Sequence, residues 1–195
     1  MNEISLREVT PDDAEELLKI YEYYVLSTAI TFECDVPSAD EFRRRIEHTL
    51  ERYPYIAAVE DGKIVGYAYA GEFVGRKAYD WSAELTVYVD HHIRKKGIGG
   101  LLYRELENIL QKMGIINLYA CIGYPQTDDE YLTKNSEEFH AHLGFKTVGT
   151  FTKCGYKFGR WYDMIWMEKV IGEHNPHTND IIPFGEIEFD GTYSS

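Results

Sequence analysis

Polar and apolar positions alternate along Ile4-Ser5-Leu6-Arg7-Glu8, which predicts a first strand. Thr10-Pro11-Asp12-Asp13 then supplies a cap, a proline for a first turn and acids near a helix N-terminus. Leu17, Leu18, Ile20, Tyr21 and Tyr24 mark that helix's apolar side. Ser38-Ala39-Asp40-Glu41 has capping-box form and opens a second helix, to about Arg52. Residues 55–60 and 64–70 are β-rich and meet at Asp61-Gly62, a dipeptide suited to a tight hairpin. Residues 81–89 alternate Leu85, Val87 and Val89 against Glu84, Thr86 and Tyr88, and read as a strand. A long helix is expected over 97–113, an apolar strand over 115–122 and a helix over 135–143. Strands over 145–151 and 161–170 close the set. The order βααβββ–αβαββ predicts an α/β fold, one mixed sheet with helices on both faces. This domain is taken as 1–171. Residues 172–195 are polar and read as a tail, ordered only if it packs on the body or a partner.

Composition narrows the function. The chain has 195 residues, 44% hydrophobic and 27% charged, ordinary values for one globular domain. No apolar run approaches the roughly 20 residues that cross a bilayer, and Met1-Asn2-Glu3-Ile4-Ser5 lacks the pattern of a secretory signal, so a cytoplasmic protein is expected. The net charge of −13 repels phosphate backbones and argues against nucleic-acid binding. Three cysteines without a C-x-x-C make disulfides and a cysteine zinc site poor expectations. The 16 tyrosines suit half-buried strands and interfaces.

Against that acidic background one segment stands out, Arg94-Lys95-Lys96-Gly97-Ile98-Gly99-Gly100, between a predicted strand and a predicted long helix. Glycines permit a tight turn and close backbone approach. The free N–H groups of a helix start then face an anion, with the helix dipole in support. The segment is neither G-x-x-x-x-G-K-[ST] nor G-x-G-x-x-G, so neither a P-loop nor a dinucleotide fold is supported. Taken alone it reads either as a pyrophosphate cradle or as a plain strand–helix connection.

Arg94-x-x-Gly97-x-Gly99 in this setting resembles the coenzyme A pyrophosphate loop of the GNAT acetyltransferases, and the element order resembles theirs. Thr31-Phe32, Arg52-Tyr53-Pro54, Tyr69-Ala70-Gly71, Ala78-Tyr79-Asp80-Trp81, Leu143-Gly144-Phe145 and Gly155-Tyr156-Lys157-Phe158-Gly159-Arg160-Trp161 are similar to the phosphinothricin acetyltransferase, or L-amino acid N-acyltransferase, branch. The likeness spans roughly residues 4 to 168. It implies a GNAT fold, a mostly antiparallel central sheet with splayed parallel strands near Val89 and Ile122. It also implies acetyl-CoA as cosubstrate, a small-molecule primary amine as acceptor, no metal, and a homodimer.

The resemblance further implies roles. Glu84 would be the base that takes the amine proton; a carboxylate in a partly dry cleft has a raised pKa, whereas the bland reading is a solvent-facing strand glutamate. Val87, Tyr88 and Val89 would lie along the pantetheine arm, and Arg94, Lys95, Lys96, Gly97, Ile98, Gly99 and Gly100 around the diphosphate. His140, four residues before Gly144, would protonate the leaving thiolate, or else is a satisfied core histidine. Arg76 would hold an acceptor carboxylate, and Phe32 would wall the acceptor side chain. The branch's Pro-Asn is replaced by an insertion around 124–134. Asn135, expected as an N-cap with Glu138, would stand in for the coenzyme-contacting asparagine, with Gln126 and Thr133 as the other choices. His91-His92 is not read as a metal site, because adjacent side chains on a turn should diverge. Cys121 is expected to be a buried, inert thiol, leaving direct attack by the amine. Two alternatives remain: a non-catalytic coenzyme-binding module, and an acetyltransferase acting on proteins or peptides.

Overall fold

The computed structural model describes residues 4–93 and 96–189; Arg94 and Lys95 lie outside them. The strands are β1 (Ile4–Glu8), β2 (Tyr55–Glu60), β3 (Lys63–Glu72), β4 (Ser82–Val89), β5 (Asn117–Tyr124), β6 (Lys146–Lys157) and β7 (Arg160–Val170). The helices are α1 (Ala14–Ser27), α2 (Ala39–Leu50), α3 (Ile98–Met113) and α4 (Asn135–His142). The strands form one sheet in the order β1-β2-β3-β4-β5-β7-β6. Every neighbouring pair is antiparallel except β4 with β5. This is the expected α/β architecture.

Local chemistry explains most of the elements. Asp61 and Gly62 both take positive φ (50° and 76°), the geometry a two-residue hairpin needs, so Glu60 pairs with Lys63. Ser38 caps α2 by accepting from the Glu41 N–H at 3.2 Å. Asp13 accepts the Thr10 N–H and clamps Arg7 with two 2.8 Å bonds, tying the first turn to β1. Two apolar layers sandwich the sheet. Leu102, Leu106, Ile109 and Leu110 of α3 bury against Ile56, Ala58, Val65, Ala68 and Leu85. Leu17, Ile20, Phe42 and Ile46 of α1 and α2 bury against Tyr55, Ala57, Ile64 and Tyr67 on the other face. At about 25 cal/mol per Å² of apolar surface, these two layers dominate the stabilisation.

Three expectations need correction. The strand expected at 145–151 continues to Lys157. The Thr152-Lys153-Cys154 stretch is a bulge rather than a loop: the register shifts between Phe151 and Gly155, and the Lys153 N–H is satisfied by Asp163 Oδ1 at 2.7 Å. The strand expected at 115–122 begins at Asn117, because the chain leaves α3 through Gly114 at φ 90° and the Ile115 N–H bonds back to the Leu110 carbonyl. The N-cap of α4 is Lys134, not Asn135, which is already helical; the Asn135 N–H leans on Thr133 Oγ1 at 3.4 Å.

The segment after Ile171 lies against the body. Phe184 is buried in the α3-side core, with Ile181, Ile187 and Phe189 packed beside it. Ile182 N–H donates to the Met113 carbonyl, Phe184 N–H to the Arg52 carbonyl, and the Trp81 indole to the Asn179 carbonyl.

Candidate functional site

The pairing of β4 with β5 decides the site. It covers only Ser82–Glu84 against Asn117–Tyr119; from Leu85 and Ala120 onward no register joins the two strands. A cleft of about 680 Å³ occupies this parting, lined by Leu85–Val89 on one side and Ala120–Gly123 on the other. Leu85 and Val89 carbonyls both accept from tyrosines of the cleft wall, Tyr103 and Tyr24 respectively. Strand alternation puts the N–H and C=O of Val87 on that same edge. A bare strand edge suits an extended ligand with amide groups, and the Val89 carbonyl is already held by Tyr24.

At one end the cleft meets the start of α3. Gly97 caps this helix at φ 70° with no side-chain cap, so the first N–H groups of α3 lack the usual capping oxygen. Gly97, Ile98, Gly99, Gly100 and Lys96 all line the cleft. A β-carbon on Gly99 would lie 3.3 Å from the Phe139 ring. These features fit a diphosphate: bare N–H groups, a positive helix end and no side chain in the way. The Lys96 ammonium is bonded to Glu60 at 2.6 Å. The Arg104 guanidinium, outside the cleft lining, lies 3.3 Å from where a Gly100 β-carbon would be.

Around the parting the two sheet faces differ. Leu85, Val87, Ala120 and Ile122 belong to the α3 side. Alternation therefore sends Glu84, Thr86, Cys121 and Gly123 to the α1–α2 side. There they share the cleft with Thr31, Phe32, Tyr69 and Met164. Glu84 is half-buried, and burial holds its carboxyl above the usual range. Cys121 opens onto the cleft rather than lying in the core, a correction. Within the cleft its thiol is largely shielded from solvent, and that desolvation, then the Glu84 charge, pushes it up to about 12, so it is not a thiolate at neutral pH.

Phe32 sits over Gly155 and Gly123, and its loop is pinned from both sides. Thr31 Oγ1 meets the Tyr21 hydroxyl at 2.9 Å, and the Thr31 carbonyl accepts from the buried Lys157 ammonium at 2.8 Å. The insertion folds around Asp129, which takes the Tyr131 and Leu132 N–H groups and the Tyr162 hydroxyl. Its Tyr131 stacks on Phe158 at 4.3 Å, bracing the β6–β7 hairpin beside the Phe32 loop.

On the opposite face His140 is buried, its Nδ1 2.7 Å from the Ser136 carbonyl and its Nε2 2.7 Å from the Tyr103 hydroxyl. Burial lowers its pKa. Asn135, Ser136, Phe139 and His140 all line the cleft, and Gln126 and Thr133 do not. Arg76 also lies outside the lining, exposed at the start of a short turn on the β3–β4 connection. Tyr88 does line it, but through a cluster with Tyr21 and Tyr24. The rings of His91 and His92 do not diverge as expected; their centroids are 3.7 Å apart, and His91 lies flat on Tyr23. Ligand atoms of Asp90, His91 and His92 fall within 4.8 Å of one another, with Asp90 Oδ1 accepting the His92 N–H at 2.9 Å. Sequence reading missed Tyr69, Tyr103 and Met164, since a tyrosine or methionine with core periodicity carries no mark of facing a cleft.

A sheet parted between two parallel strands, over a bare helix start and beside a raised carboxylate, forms a cleft whose shape and polarity suit an extended anionic cosubstrate. The chain belongs to the GNAT acetyltransferase family: the model of the acetyltransferase (GNAT) domain matches residues 6–166. It is 32% identical over 161 residues to the phosphinothricin N-acetyltransferase of Streptomyces viridochromogenes, covering 83% of this chain and 84% of that one. It is 29% identical to the L-amino acid N-acyltransferase MnaT of Escherichia coli, covering 87% and 95%. The crystal structure of a phosphinothricin acetyltransferase from Sinorhizobium meliloti in complex with AcCoA superposes with a TM-score of 0.81, 30% identity and full coverage of both chains.

Proposed function

We propose that this protein transfers the acetyl group of acetyl-CoA to the primary amine of a small molecule, an amino acid or a close analogue of one. The parting of β4 from β5 just beyond Glu84, above the uncapped start of α3, carries this reading. Val87 offers its backbone edge to the pantetheine arm, Gly97 to Gly100 receive the diphosphate, and Asn135 meets the coenzyme from α4. The acceptor enters on the α1–α2 face, between Phe32, Tyr69, Met164 and Glu84. Glu84 takes the ammonium proton, directly or through water, and burial makes it a better base than an exposed carboxylate. The Val87 N–H polarises the thioester carbonyl. Arg76, on the exposed β3–β4 connection, is the group we assign to an acceptor carboxylate, because a guanidinium fork matches a planar carboxylate.

The reading includes a homodimer and a cytoplasmic site of action. β6 is an edge strand exposed over most of its length, with Val148, Phe151 and Tyr156 open to solvent and Trp161 beside them, 60% exposed. Such a patch suits a second copy of the chain. Sedimentation should show a dimer that Trp161→Glu dissociates; a monomeric wild type would remove this part. Among the described residues no helix is long and apolar enough to cross a membrane.

The decisive experiment is thiol release from acetyl-CoA across amino acids, their sulfone and sulfoximine analogues, aminoglycosides and peptides, beside calorimetry with acetyl-CoA. Turnover with amino acids or their analogues is expected. Turnover with peptides alone would move the acceptor to proteins, and binding without turnover would leave a coenzyme-binding module. No heat with acetylated or free coenzyme A would end the assignment.

A further inference from the structure

The β5–α4 connection, residues 125–134, joins two segments that meet at Phe32. Its backbone bonds to the first, the turn that follows α1: the Ala29 N–H donates to the Tyr131 carbonyl at 3.0 Å. Asp129 ties it to the second, the β6–β7 pair. Asp129 Oδ1 accepts the Tyr131 and Leu132 N–H groups at 2.8 and 2.9 Å, which shapes the turn that presents the Tyr131 carbonyl. Asp129 Oδ2 accepts from the Tyr162 hydroxyl at 2.9 Å and lies 3.0 Å from Arg160 Nη1. One carboxylate therefore holds both attachments. Ala29, Leu132 and Tyr162 bury one another in a small cluster apart from the two main layers. That cluster adjoins the acceptor wall. The Phe32 and Tyr162 rings are stacked with centroids 6.4 Å apart, and a β-carbon on Gly123 would lie 3.5 Å from both Leu132 and Phe32. The charge states suit the tie. Burial opposes ionisation of Asp129, but the Tyr131 amide, Arg160, Tyr162 and the Leu132 amide outweigh it and hold the carboxyl below its usual range. Burial, and then Asp129, push the Tyr162 hydroxyl up to about 12, so at neutral pH it remains a donor.

We infer that Asp129 is a positioning residue for acceptor specificity: by clamping the 125–134 connection to Tyr162 and Arg160 it fixes Phe32 in the acceptor wall. The inference rests on the acetyl-transfer function proposed above. Asp129, Leu132 and Tyr162 do not line the cleft, so each acts through Phe32 and the turn that carries it. A wall already held in place costs little ordering when the acceptor binds, whereas a loosened ring must be fixed by the acceptor itself. Loosening the clamp therefore weakens acceptor binding and blurs the choice between side chains, while the chemistry at Glu84 continues once the acceptor is bound. The coenzyme side is spared, because its walls are the Leu85–Val89 edge and the start of α3.

Two mild substitutions test the clamp. Asp129→Asn keeps an oxygen for the Tyr131 and Leu132 N–H groups but removes the charge that Tyr162 and Arg160 meet. Tyr162→Phe keeps the buried ring and removes only the hydroxyl. With the fastest amino acid of the panel as acceptor, each variant should raise the acceptor KM about three- to tenfold. kcat should stay within about twofold, the pattern of lost binding rather than lost chemistry. Acetyl-CoA affinity by calorimetry should match wild type. The preference for that acceptor over its homologue one methylene longer should narrow. The two substitutions break one bond, so the double variant should do little more than either alone. Hydrogen exchange gives a reading independent of activity: amides of residues 28–33 should exchange faster in both variants, and those of α3 should not. Variants that lose thermal stability yet keep the wild-type acceptor KM and preference overturn the inference alone, as do variants with unchanged exchange at 28–33. A wild-type protein that acetylates no amine overturns the transferase function, and the acceptor role of Asp129 with it.

Discussion

The ring of Phe32 fills the space that a β-carbon on Gly155 would need: an ideal Cβ there would lie 2.3 Å from Phe32 Cε2. The last strand pair thus sets the position of a loop far earlier in the chain, on the α1–α2 side of the cleft. Gly155→Ala must push the ring away. Phe32 is partly exposed and can turn, so the fold should survive. The expected result is an altered KM or preference for the acceptor, with acetyl-CoA affinity unchanged by calorimetry. An unchanged acceptor profile would take Phe32 out of the wall.

Glu84→Gln should lower kcat by about 10²- to 10⁴-fold near neutral pH while the variant still binds acetyl-CoA. A thiol-release assay measures the first and calorimetry the second. Retention of the wild-type rate would exclude Glu84 as the base.

The same variant has a consequence for stability. The folded-state pKa of Glu84 is raised by burial, so the folded protein holds this proton more tightly than the unfolded chain does. Its favourable contribution is present below the unfolded glutamate pKa and is lost as pH rises through the folded value. Glu84→Gln should therefore raise Tm relative to wild type at pH 7, and the gain should shrink toward pH 4. Thermal unfolding at both pH values checks this. A gain that grows toward acid would reverse the sign.

Gly97→Val and Gly99→Val should weaken acetyl-CoA binding through different routes. The first places a β-branched residue at φ 70°, and the second drives a side chain toward Phe139. The apparent acetyl-CoA KM should rise in both, with circular dichroism confirming the fold. Wild-type affinity in both would argue against the start of α3 as the diphosphate site.

Phe184→Ala tests whether the C-terminal segment belongs to the core. Phe184 is 3% exposed, and removing such a ring costs about 3–5 kcal/mol. Denaturant unfolding should show that loss. A change below about 0.5 kcal/mol would mean that the segment covers the body without stabilising it.

The sequence by itself determined the element order, the Asp61-Gly62 hairpin, the Ser38 cap and the anion-ready start of α3. Each depends on local backbone preferences or on side-chain periodicity, which a few neighbouring residues decide. It placed Glu84, Val87, Phe32, His140 and Asn135 near one another only through family resemblance. Tertiary structure decided the rest. It ended the β4–β5 pairing at Glu84, left Arg76 on a loop outside the cleft lining, carried β6 through a bulge to Gly155, and brought Tyr103 of α3 onto His140 of α4. It also folded Phe184 into the α3-side core and bonded its N–H to the carbonyl of Arg52, far earlier in the chain. These features depend on contacts between residues far apart in the chain, where packing volume and hydrogen-bond satisfaction choose among arrangements that local sequence leaves equal.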